Sequence, residues 1–61
     1  MQILALIEPL AANRFRARSG NPFDITVEAE SRQEAIQELQ QRIRERFANG
    51  AEIVMIEISE E

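Results

Sequence analysis

Apolar and polar residues alternate strictly over two neighbouring stretches of this chain, RFRAR (14–18) and FDITVEAE (23–30). A period of two is the signature of a strand with one covered face. Phe15 and Ala17 fall on one side of the first stretch and Arg14, Arg16 and Arg18 on the other. In the second, Phe23, Ile25, Val27 and Ala29 oppose Asp24, Thr26, Glu28 and Glu30. SGNP (19–22) separates them, and its glycine, asparagine and proline are turn formers, so the two stretches predict a β-hairpin. Upstream, QILALIE (2–8) is a more continuous apolar run ending at Pro9, with LAAN (10–13) as a short connection.

After residue 30 the period changes. Ala35, Ile36, Leu39, Ile43 and Phe47 recur at helical spacing and make one narrow apolar stripe. Ser31 followed by Glu34 forms a capping box, which gives that serine a structural rather than a catalytic role. Asn49-Gly50 supplies the stop, so the helix is predicted from Arg32 to Ala48. AEIVMIEIS (51–59) returns to β-forming residues and predicts a last strand, with Glu60 and Glu61 as a solvated acidic tail.

The order β-β-β-α-β predicts a single α+β domain over residues 1–61, with one helix on one face of a four-stranded mixed sheet. The first strand is the richest in apolar residues, which favours a central place for it. Setting the last strand beside it, in parallel, gives the order 3-2-1-4 through a right-handed crossover.

That arrangement leaves apolar side chains on the helix-free face. If Ile3, Ala5 and Ile7 face the helix, Leu4 and Leu6 face away; if Val54, Ile56 and Ile58 face it, Ile53 and Met55 do not. Leu4, Leu6, Ile53 and Met55 are therefore expected to form a contiguous patch that one helix cannot cover. Burying such side chains is worth ~1.5–3 kcal/mol each, against an association cost of roughly 4–15 kcal/mol. Two copies in a symmetric dimer would meet that cost. A chain this short also has a marginal core of its own and no cysteine or histidine with which to staple it. A homodimer is the expected state.

Composition removes most chemistry. Without histidine, cysteine or lysine there is no nucleophile–base pair, no usual zinc ligand and no Schiff base. Gly20 and Gly50 alone make no phosphate cradle. Glu57, Glu60 and Glu61 lack any fixed oxygen cage for a cation. No enzyme activity, cofactor or metal is expected. The net charge of −4 argues against a general nucleic-acid footprint, and the hairpin gives Arg14, Arg16 and Arg18 acidic neighbours across the strands. RNA binding through those arginines, or a place as a structural subunit of an unrelated complex, is the alternative reading. The apolar run ILALI (3–7) is too short to cross a bilayer and lacks the basic and hydrophobic regions of a signal peptide, which predicts a cytoplasmic protein.

The apolar first strand ending ALIEP, the FRA of the second strand and the SRQEAI helix entry together resemble the HicB-like antitoxins. Ser31, Glu34 and Ala35 match that family's Thr-x-Glu-Glu-Ala entry. The resemblance implies a partial RNase H-like β-β-β-α-β domain that neutralises a ribonuclease toxin by stoichiometric occlusion, with Glu28, Glu30 and the C-terminal glutamates as the acidic contact face. The chain departs from the family pattern in two places. GNPFDITVEAE replaces the Leu-Pro-Gly-Cys segment, and the sequence contains no helix-turn-helix or ribbon-helix-helix segment for operator DNA.

Overall fold

The computed structural model describes residues 1–59. Three strands, β1 (Ala5–Leu10), β2 (Arg14–Ser19) and β3 (Thr26–Ala29), are followed by one helix, α1 (Arg32–Ala48). The strands form one antiparallel sheet in the order β1-β2-β3. A single turn of 3₁₀ type, Ala11–Asn13, joins β1 to β2; Ala12 and Asn13 both take positive φ there, at 60° and 57°. Asparagine tolerates that region, whereas alanine is strained in it.

The four-stranded mixed sheet is not what forms. Residues 51–59 carry no strand, so the sheet has three strands, all antiparallel, and the order 3-2-1-4 with its crossover is replaced by a meander. β1 is not central either. It lies at an edge, and β2 holds the centre. The physical sign was Pro9, which sits within β1 rather than ending it. A proline is tolerated in a strand only where one side makes no ladder bonds, and an edge provides that. Apolar richness reported what β1 can contact, not how many strands flank it.

The helix forms where its caps dictate. Ser31 is the N-cap, and its Oγ accepts from the Glu34 backbone N–H at 3.1 Å. At the other end, Gly50 N–H donates to the Phe47 carbonyl at 3.1 Å and Ala51 N–H to the Arg46 carbonyl at 2.9 Å. This pair of bonds, with Gly50 at φ 97°, is a Schellman motif.

The core is one cluster under this helix: Ala17, Phe23, Ile25, Val27 and Ala29 from the sheet side against Ala35, Leu39 and Ile43. Ala17 and Ala35 are fully inaccessible, which lets the helix approach the central strand closely. The Phe23 and Phe47 rings meet edge to face, 5.9 Å between centroids. β3 is shorter than the alternation predicts. Phe23 and Ile25 belong to the turn before it, tied by Ser19 N–H to the Ile25 carbonyl at 2.9 Å, yet they still point into the core. Across the hairpin Ala17 pairs with Val27 rather than with Phe23 or Ile25. A shift by an even number of residues keeps every side chain on its face, so the inside and outside sets are unchanged.

The helix lies over β2 and β3 and covers β1 incompletely: Ile7 is half-buried, while Ala5 and Ile3 on the same side are exposed. The molecule is long, 54 × 26 × 15 Å, with a radius of gyration of 14.6 Å. A compact chain of this length would have roughly 10–11 Å. The helix itself accounts for only about 26 Å. The segment after it, residues 51–59, joins no strand and is exposed throughout, as an arm.

Candidate interaction surface

Two surfaces of the molecule carry the residues singled out by sequence: the helix-free face of the sheet and the C-terminal arm.

On the sheet face, alternation sends Leu6, Glu8, Arg14, Arg16, Arg18, Thr26 and Glu28 to the same side. Register then places Glu8, Arg16 and Glu28 in one row across all three strands. Arg16 reaches Glu28 at 3.4 Å and Glu8 at 4.0 Å; Arg14 lies 3.9 Å from Glu28 and Arg18 3.8 Å from Glu8. One carboxylate oxygen of Glu8, Oε1, is shielded from solvent between the Arg16 and Arg18 guanidiniums. The arginine stripe is thus neutralised in part by two glutamates. Asp24, expected opposite it, lies outside β3.

Glu8 was the residue sequence reasoning missed. It shares parity with Leu4 and Leu6 and so had to lie outside with them, but its role became visible only with the β1–β2 register. Glu28 is occupied by Arg14 and Arg16, and Glu30 is exposed just past the end of β3. These two therefore do not form a free acidic face. Glu60 and Glu61, expected to extend it, lie outside the described residues. On the helix, Glu38 and Arg42 pair across one turn at 3.9 Å.

The apolar candidates divide between the two surfaces. Leu4 and Leu6 are exposed at the start of β1, and Leu6 stands opposite Arg18. Ile53 and Met55 are on the arm, and Met55 is 99% exposed. The contiguous patch of all four is not assembled within one chain, because it required a strand from residues 51–59 beside β1. Leu4 and Ile53 do line a common cavity with Phe23 and Pro22, at the end of the sheet where the arm departs. The arm also exposes Val54, Ile56 and Ile58, so both of its faces are apolar and both are open.

A groove of about 710 Å³ runs between residues 1–4 and the helix, lined on one side by Ile3 and Leu4 and on the other by Ile43, Arg44 and Phe47. Among the described residues no group of histidine, cysteine, aspartate or glutamate is arranged to hold a metal, and no helix is long and apolar enough to cross a membrane. No protein-family model matches the chain, and neither does any curated protein or solved structure.

Proposed function

We propose that this chain is a non-catalytic, cytoplasmic protein–protein interaction module that self-associates. The observation that carries the reading is the exposure of large apolar side chains from both ends of the fold, Leu4 at 92%, Met55 at 99% and Ile58 at 80% among them. Exposed apolar groups concentrated as they are over residues 53–58 mark a contact surface. The residue inventory supports the non-catalytic half of the reading, since histidine, cysteine and lysine are all absent. The resemblance to HicB-like antitoxins supports one class of further partner, a ribonuclease occluded in a one-to-one complex.

RNA binding through Arg14, Arg16 and Arg18 is the weaker reading. Those arginines face Glu8 and Glu28 at 3.4–4.0 Å, and the two carboxylates would repel a phosphate backbone. The three phenylalanines are buried or half-buried and offer no stacking platform.

Sedimentation of the full chain tests the proposal. A concentration-dependent dimer is expected, as is a loss of association when Leu6 and Met55 are both changed to glutamine. A monomer at every concentration, combined with RNA affinity that falls steeply with salt, would replace it with the nucleic-acid reading. A co-purifying protein whose ribonuclease activity the chain suppresses at equimolar ratio would establish the antitoxin role.

A further inference from the structure

Within one chain the structure leaves two complementary features unmatched. The first is the outer edge of β1. That strand has β2 on one side and no neighbour on the other among the described residues, so its outward backbone groups ahead of Pro9, which itself has no N–H to donate, are a template for another strand. Beside this edge lies the groove between residues 1–4 and the helix, whose apolar walls include Ile3, Ile43 and Phe47. The second feature is the arm, residues 51–59. Its β-forming sequence alternates Ile53 and Met55 with Val54, Ile56 and Ile58, and every one of these is exposed.

The two features match in length, pattern and charge. Fully extended, the arm would span about 30 Å, which covers residues 1–8, the part of the edge ahead of Pro9. With Val54, Ile56 and Ile58 turned into the groove, Ile53 and Met55 would fall on the helix-free side, level with Leu4 and Leu6. Glu52 precedes the apolar run on the same face as Val54, and Arg44 lines the groove. The arm does not close on its own sheet. It follows the Schellman turn at Gly50, and residues 51–59 are exposed throughout.

We propose that the arm is exchanged: residues 51–59 of one copy add to the free β1 edge and apolar groove of a second copy, and the second copy's arm is returned to the first. Each chain keeps its own three-stranded sheet. A twofold axis satisfies both edges and both arms at once and closes the assembly, which an unreciprocated contact does not do. This assigns Ile3, Ile43 and Phe47 as the receiving site and Val54, Ile56 and Ile58 as the inserted side chains. It rests on the self-association reading above and specifies the contact that reading leaves open.

The test is a mixed sample of isotope-labelled and unlabelled full-length chain, observed by isotope-filtered NOE spectroscopy. Intermolecular contacts are expected between the methyls of Val54, Ile56 and Ile58 and those of Ile3 and Ile43. Ile56→Asp should weaken the dimer at least about 100-fold, because one inserted isoleucine is lost from each of two arms. It should leave the helical circular dichroism of the dilute chain unchanged, since the arm adds nothing to the core. A dimer without intermolecular arm contacts overturns the exchange and leaves the self-association reading standing. A chain that is monomeric at all concentrations removes both. Arm-to-groove contacts found only within one labelled copy show an arm that folds back, and also overturn the exchange.

Discussion

Residues 23–29 and residues 53–58 are both rich in β-forming residues, and they meet opposite fates. FDITVEA turns Phe23, Ile25, Val27 and Ala29 into the core, each less than 9% exposed. IVMIEI joins no sheet, and its large apolar side chains are between 49% and 99% exposed. The difference lies in the other face. Residues 23–29 put Asp24, Thr26 and Glu28 toward water, so one covered side is all they need. The arm is apolar on both sides, as strands buried in the middle of an assembly are. A two-sided strand cannot be satisfied by one helix lying over one face. What the comparison teaches is that alternation fixes which residues share a face, while the number of apolar faces says how many neighbours a segment requires.

A matched pair of substitutions gives the largest expected contrast. Ile25→Ala removes a buried isoleucine from the core and should cost about 2–5 kcal/mol, enough to unfold much of the population in a domain this small. Ile56→Ala removes the same atoms from a side chain that is 78% exposed. Under dilute, monomeric conditions it should change stability by less than about 0.5 kcal/mol. Urea unfolding of both variants measures the contrast. Equal losses would show that the arm packs into its own chain's core.

The junction between the two regions comes next. Gly50 sits at φ 97° in the turn that ends the helix and releases the arm, so a side chain there is strained even though no neighbouring atom would touch it. Gly50→Ala should cost about 1 kcal/mol, which for a domain of this size lowers Tm by about 4–8 °C. Gly20 has equally open space and no positive φ, so Gly20→Ala should leave Tm close to its starting value. A silent Gly50→Ala would mean that the Schellman turn does not hold in solution. Ser31→Ala, at the opposite cap, should cost a similar ~0.5–2 kcal/mol.

Local signals in the sequence were sufficient for local structure. The helix runs from Arg32 to Ala48 as its caps and stripe require, and the hairpin faces follow from parity alone. Those features depend on residues near one another in the chain, where spacing determines geometry. What could not be read was pairing. The position of β1 at the edge, the register that brings Glu8 beside Arg16, and the absence of a fourth strand among the described residues all depend on which strand finds which neighbour. Propensity and period are blind to that choice. Pro9 was the exception, a local residue that carried topological information. The apolar surplus of Leu4, Leu6, Ile53 and Met55 was legible as well, but its assembly on one face was not, because that inference inherited the misplaced strand.

The smallest expected effect concerns the polar face that β3 has and the arm lacks. Arg16 bridges Glu8 and Glu28, so the ladder ties the outer side of all three strands together. Its side chain and those of its partners are between 34% and 43% exposed. Pairs at that exposure are largely screened by water, and a coupling of ~0.2–1 kcal/mol is expected. A double-mutant cycle of Arg16→Gln and Glu28→Gln, read by urea unfolding, isolates the 3.4 Å contact from the effect of each substitution on the other charges nearby. In 1 M salt the screening length falls to about 3 Å, and most of the coupling should vanish. A coupling well above that range which survives high salt would require the ladder to be shut off from water, and none of the described residues of the chain covers that face. The covering surface would then have to come from another molecule lying across the sheet. Persistence of the coupling in a dilute monomeric sample would instead mean that the open face described here is closed by the chain itself, and the contrast between a satisfied β3 and an unsatisfied arm would lose its basis.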